Sequence, residues 1–330
     1  MAEALVDPQG RTVRDLRISV TDRCNLRCTY CMPEEGMRWL PRDELLSFEE
    51  LERVARVCVE RFGFTGLRLT GGEPTLLSHL PVLVEKLARL GDASHDLALT
   101  TNGTTLPLLV ADLAAAGLRR VTVSLDSLRR ERFLALTRRD RLDQVLEGID
   151  AAVAAGLAPV KVNVVLVRGV NDDEILDLAR YGRDRGATMR FIEGMPLDGG
   201  HTWGADRVVP SAEVLETIGG RWPLEPLTRG SAPAAAWRYA DGAGEVGVVG
   251  SVTQPFCSTC DRIRLTAEGM LRACLFAHGE ADLRAVLRAG GDDDGLAEAI
   301  RAEVGTKWAG HGIGNVSFRS PPRSMSQIGG

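Results

Sequence analysis

Between residues 16 and 193 the chain alternates short apolar or β-branched runs with longer stretches whose apolar positions recur every three or four residues. The first pattern predicts strands over 16–21, 66–70, 96–101, 120–125, 159–167 and 187–193, and the second predicts helices over 47–62, 79–90, 107–116, 142–155 and 172–185. Six strands separated by helices imply a parallel sheet with right-handed crossovers. A closed eight-stranded barrel would need two more units, so the expected fold is α/β, an incomplete (βα)6 TIM-type barrel. After Ile218 the rhythm breaks into the Gly-, Pro- and Ala-rich stretch GGRWPLEPLTRGSAPAAAW. A boundary is expected there, with a partial barrel over 1–220 and a C-terminal region over 221–330 that covers its open side.

Composition narrows the class. A chain of 330 residues should bury roughly 75% of the surface its unfolded form exposes, so it needs no disulfide staples. The net charge of -5 removes the broad cationic field that non-specific nucleic-acid binding relies on. No apolar run approaches the ~20 residues of a membrane span, and the start MAEALVDPQGR has neither a basic leader nor an apolar signal core. A cytoplasmic protein without nucleic-acid or membrane partners is expected.

Six of the seven cysteines fall into two tight groups, Cys24, Cys28, Cys31 and Cys257, Cys260, Cys274, which reads as metal ligation rather than a disulfide framework. Cys58 lies on the apolar stripe of a predicted helix and reads as a small buried hydrophobe. The first group follows the first strand, as GGEP (71–74), TTNG (100–103) and SLD (124–126) follow the next three. Reactive groups of a barrel gather at the C-terminal ends of its strands. Three thiolates can hold three irons of a [4Fe-4S] cube and leave the fourth iron open, although sulfur also suits zinc. In the second group, His278 is spaced to complete a zinc knuckle. The other reading is a second open cubane facing a substrate. Arg262 and Arg264 alternate on a strand, so both guanidiniums point to one face, either a solvated surface or a fork pair suited to phosphate oxygens.

The CxxxCxxC loop followed by GGEP resembles the signature of the radical S-adenosylmethionine (SAM) enzymes. Over its whole length the chain resembles one family among them, the GTP 3',8-cyclases that open molybdenum cofactor biosynthesis. The matching segments are RDLRISVTDRCNLRCTYCMP (14–33), LRLTGGEPTL (67–76), LTTNG (99–103), VSLDS (123–127), VKVNVVLVRGVND (160–172), RFIEGMP (190–196), FCSTCDRIRLTAEG (256–269) and MSQIGG (325–330). The resemblance implies two [4Fe-4S] clusters, one on Cys24, Cys28 and Cys31 for SAM and one on Cys257, Cys260 and Cys274 for the guanine. It implies SAM contacts at Tyr30, Gly72, Ser124 and Met195, with GGEP at the amino group. It implies GTP contacts at Arg17, Arg68, Thr100, Lys161, Arg262, Ile263 and Arg264, with Arg190 adding to the same field by position. The Gly329-Gly330 tail would thread toward the active site. The chain departs from the family pattern at Gly194, where a bulkier residue is usual, and this should loosen the loop carrying Met195.

The chemistry so implied is hydrogen removal from ribose C3' by a 5'-deoxyadenosyl radical and attack of the carbon radical on guanine C8, giving 3',8-cyclo-7,8-dihydro-GTP. An external one-electron donor would feed the reaction, cyclic pyranopterin monophosphate synthase would accept the product, and there is room for a homodimer. No general acid/base pair is needed for the abstraction, and His79, His95, His201 and His311 read as surface or structural residues. Two rivals remain: a peptide-modifying radical SAM enzyme with an auxiliary cluster, and a zinc-stabilised binding protein without catalysis.

Overall fold

The structure is a computed structural model that describes residues 2–33, 36–91, 95–197, 203–313, 315 and 318–329. The first part of the chain runs β1 (Asp15–Ser19), α1 (Phe48–Phe62), β2 (Gly66–Thr70), α2 (Leu80–Ala88), β3 (Asp96–Thr101), α3 (Val110–Ala115), β4 (Arg120–Ser124), α4 (Arg130–Thr137), α5 (Leu142–Ala154), β5 (Lys161–Leu166), α6 (Ile175–Arg185), β6 (Thr188–Glu193) and α7 (Ser211–Gly219). Local chemistry sets the boundaries. Ser47 and Glu50 form a reciprocal capping box at the start of α1, and Gly63 ends it in the left-handed conformation. Cys58 is fully buried on the inner face of α1, as the stripe requires. Helix α4 lies where no helix was expected, within a run of arginines.

The second part runs β7 (Leu224–Pro226), β8 (Ala235–Tyr239), β9 (Glu245–Val249), β10 (Arg262–Leu265), β11 (Met270–Arg272), β12 (Ala281–Asp282), α8 (Leu283–Arg288), α9 (Asp293–Val304) and α10 (Met325–Ile328). It adds to the sheet at both edges rather than only lying over it. The strand order is β12-β11-β10-β1-β2-β3-β4-β5-β6-β9-β8-β7, and β10 pairs with β1, and β9 with β6, in parallel. Eight consecutive parallel strands therefore line up as in a barrel, the two beyond the expected six coming from the far end of the chain. The sheet stays open, with β7 and β12 as its edges.

Strand periodicity separates two faces. Leu16, Ile18, Leu67, Leu69, Leu97, Leu99, Val121, Val123, Val162, Val164, Ile263 and Leu265 are all buried in one core with the surrounding helices. Each such side chain contributes about 1.5–3 kcal/mol. The alternate positions point inward and are mostly polar, Val165 and Ile192 being apolar exceptions: Arg17 stands in register with both Arg68 and Arg264, and Asn163 with Arg190. The apolar outer face holds the sheet, and the barrel interior is left for chemistry.

Candidate active site

A cavity of about 280 Å³ runs through this interior and is lined by all six clustered cysteines. Cys24 to Cys31 follow the C-terminal end of β1. Cys257 and Cys260 precede β10, which runs parallel to β1, and Cys274 follows β11, which runs antiparallel to it. The second group thus enters from the opposite end of the strands. The five residues of β1 cover roughly 15 Å at about 3.3 Å per residue, so the two thiol groups face one another along the barrel.

The first cysteine loop is clamped by the GGEP segment. Gly72 N–H donates to the Thr21 carbonyl and Glu73 N–H to the Arg23 carbonyl, each at 2.7 Å. A Cβ at Gly72 would lie 2.3 Å from the Arg23 carbonyl oxygen, so only glycine permits this approach. Glu73 is fully buried and accepts from Thr75 N–H (3.0 Å), Thr101 Oγ1 (2.6 Å) and Asn102 N–H (2.6 Å). Its carboxylate locks the loops after β2 and β3 together, so GGEP faces the cavity with the backbone of Gly71 and Gly72. Tyr30 donates to Asp126 Oδ2 at 2.5 Å, and Val165 N–H donates to Asp126 Oδ1 at 2.8 Å. Burial pushes the Cys24, Cys28 and Cys31 thiols up, Cys31 to about 12, so a bound cation is what would make them thiolates.

Between the two thiol groups lie Arg17, Thr100, Arg190, Arg262 and Arg264. Burial first, and then mutual repulsion, lower Arg17, Arg190 (to about 9) and Arg264 (to about 10). Lys161 falls to about 8 for the same reasons, with Arg190, Arg120 and Arg68 as its neighbours. Countercharge is scarce: Asp96 is engaged by Arg120, and Asp15 stands 3.8 Å from Arg17. Among the described residues the buried Nε atoms of Arg17, Arg68, Arg190 and Arg262 have no hydrogen-bond partner. Arg262 Nη2 donates to Cys260 Sγ at 3.2 Å. Burial alone would raise that thiol, yet Arg262 and Lys307 bring it down to about 7. Ile263, by contrast, is fully buried in the outer core, so its side chain faces away from the cavity.

A small apolar cluster of Leu197, Phe276 and Ile313, joined by Met195, Trp203 and Met325, roofs the cavity. Trp203 Nε1 donates to the Gly194 carbonyl at 2.7 Å, so the Met195 loop is tethered despite the departure at Gly194. The tail follows. Ser326 Oγ donates to the Cys31 carbonyl at 3.3 Å, and Arg264 Nη1 donates to the Gly329 carbonyl at 2.7 Å. Gly329 has φ 73°, and a Cβ there would lie 2.8 Å from Ser19 Cβ. Gly330 and His201 lie outside the described residues.

Tyr30, Gly72, Ser124, Met195, Arg17, Thr100, Arg190, Arg262 and Arg264 line the cavity with the six cysteines, whereas Arg68 and Lys161 act on it through charge from just beyond the lining. His278 is exposed and stacks on Trp308, with ring centroids 5.9 Å apart, so the zinc-knuckle reading loses its fourth ligand. Asp126 and the Glu73 clamp were not singled out from sequence, although both sit inside motifs that were. The residues fit the groups the resemblance implies: three thiols per group suit a [4Fe-4S] cube with one open iron, and orphaned guanidinium donors suit oxyanions.

Residues 18–182 match the radical SAM superfamily, and residues 187–313 match molybdenum cofactor synthesis C. GTP 3',8-cyclase 2 of Mycobacterium tuberculosis (strain H37Rv) is 50% identical over 99% of this chain and 92% of its own length. GTP 3',8-cyclase of Mycolicibacterium smegmatis is 50% identical over the same shares. This chain belongs to the GTP 3',8-cyclase family. Its members are radical SAM enzymes of molybdenum cofactor biosynthesis, which use SAM and [4Fe-4S] clusters. SuiB of Streptococcus suis, in its structure with bound S-adenosylmethionine, has a TM-score of 0.61 at 14% identity, covering 89% of this chain and 69% of that one. That likeness is one of fold alone, and it gives the cyclase family's partly open barrel a solved counterpart.

Proposed function

We propose that the chain converts GTP to 3',8-cyclo-7,8-dihydro-GTP inside this cavity, with 1–220 binding SAM and 221–330 completing the GTP site. The observation that carries the reading is the placement of two cysteine triads at opposite ends of one cavity whose middle is cationic. Cys24, Cys28 and Cys31 would hold the first [4Fe-4S] cluster, and Cys257, Cys260 and Cys274 the second. When bound, the first cluster and SAM supply an adenosyl radical able to take hydrogen from ribose C3'. The protein's part is to orient and to exclude water.

The Gly72 backbone and Tyr30, held by Asp126, shape the SAM end, with Ser124 and Met195 closing it from other strands. Arg17, Arg68, Lys161, Arg190, Arg262 and Arg264 receive the triphosphate, whose roughly four negative charges neutralise a field of cations that otherwise repel one another. Thr100 adds a hydroxyl. Any contact from Ile263 is made by its backbone. The Met195, Phe276 and Met325 roof keeps water from a reactive intermediate. Gly329 narrows the channel and occupies one donor of Arg264. An external one-electron donor, cyclic pyranopterin monophosphate synthase as product acceptor, a homodimeric state and a cytoplasmic location complete the reading. Among the described residues no helix is long and apolar enough to cross a membrane.

Anaerobic incubation of reconstituted protein with SAM, dithionite and GTP should yield 5'-deoxyadenosine and a cyclised nucleotide in equal amounts. SAM cleavage that ignores GTP would overturn the substrate assignment.

A further inference from the structure

Of the 40 basic residues of the chain, only Lys86, Lys161 and Lys307 are lysines. Lys86 pairs with Glu52 at 2.7 Å on the helical layer, and Lys161 belongs to the cationic interior. Lys307 is 4% exposed and lies just after α9. Its ammonium donates to the Arg262 carbonyl and to the Ala273 carbonyl, both at 2.6 Å, with Cys260 Sγ 4.0 Å away. Arg262 is two residues beyond Cys260, and Ala273 immediately precedes Cys274. Ala273 is held from its other side as well, its N–H donating to Glu303 Oε1 at 2.9 Å. The remaining thiol is secured nearby, because Arg11 donates to the carbonyls of Cys257 and Trp308, each at 2.5 Å.

A compact ammonium can direct its donors at two carbonyls and a sulfur within one small space, which the wider planar fork of arginine cannot. In a chain that otherwise uses arginine almost throughout, a buried lysine at this point has a geometric reason. We propose that Lys307 is a positioning residue for the second cluster, fixing the spacing of Cys260 and Cys274 and easing reduction of the cluster through its charge. This rests on the reading that the second triad holds a [4Fe-4S] cluster. Three thiolates around an oxidised cube leave a net negative charge that grows on reduction, and a buried cation a few ångströms away favours the more negative state.

The test uses the full chain with Cys24, Cys28 and Cys31 replaced by Ala, reconstituted anaerobically so that only the second cluster is read by EPR during a redox titration. Lys307→Met should make that cluster about tenfold harder to reduce, a fall of about 59 mV for one electron, and should speed iron loss to a chelator about tenfold. Lys307→Arg should restore the potential but not the iron retention. In a chain lacking instead Cys257, Cys260 and Cys274, the same substitutions should leave the first cluster unchanged. An unaltered potential in Lys307→Met overturns the inference, as does equal iron loss from both clusters. Failure of the background chain with Lys307 intact to bind iron overturns the cluster reading along with it.

Discussion

At the scale of single residues, the cations of the barrel interior decide most. Arg262 and Arg264 were legible because alternation on a strand puts both on one face, and their side chains do meet in the cavity. Arg262→Ala or Arg264→Ala should weaken GTP binding by about 1.5–3 kcal/mol, the size of a lost charge-assisted hydrogen bond, with SAM affinity unmoved; titration calorimetry with each ligand checks this, and a matching loss for both would signal misfolding. Lys161 adds a pH signature. Its folded value of about 8 lies below the ordinary 10.5, so between those values the unfolded chain binds more protons and the nucleotide-free protein gains stability as pH rises. GTP reverses the preference by stabilising the ammonium. Binding should weaken above pH 8 and take up a proton there, visible as a dependence of the measured heat on buffer ionisation, and Lys161→Met should reduce that dependence near pH 8, where Lys161 titrates before Arg190 and Arg264. The Glu73 clamp and Asp126 could not be read in the same way, since nothing in a motif says whether a carboxylate faces ligand or backbone.

Elements were legible where periodicity was clean. The six predicted strands form, because their outward positions are apolar and their inward ones mostly polar. Helix α4 was not foreseen because Phe133 and Leu136 are buried while Leu134 is 43% exposed, among arginines that pair with Asp140, Asp143, Asp173 and Glu174. Strand β9 was hidden in a glycine-rich stretch, and parallel pairing across more than fifty residues leaves no local trace. The tail is the element with the sharpest test. Helix α10 lays Ser326 on the first cysteine loop and delivers Gly329 into a space bounded by Ser19 and Thr70. Gly329→Val meets both a left-handed backbone and that wall. It should expel the tail, leave cluster content and SAM binding intact, and reduce cyclisation of GTP at least tenfold by product chromatography; unchanged turnover would make the tail dispensable.

For the whole molecule, the open barrel matters because its two ends are built by opposite ends of the sequence. The cysteine spacing announced two sites but could not say that they share one cavity, since that follows from β10 docking beside β1. The arrangement predicts separable losses. Reconstituted chain should carry about eight irons, four per cube. Replacing Cys24, Cys28 and Cys31 should halve the iron and end SAM cleavage altogether, because those thiols hold the cluster that donates the electron. Replacing Cys257, Cys260 and Cys274 should halve the iron equally, yet SAM cleavage should persist in part while cyclisation stops, since the far end of the cavity only places the nucleotide. Iron analysis, 5'-deoxyadenosine yield and cyclised product, measured on the same preparations, distinguish the two ends. Identical profiles from both triads would mean that the clusters act as one unit, and the division of the barrel into a radical end and a substrate end would have to be given up.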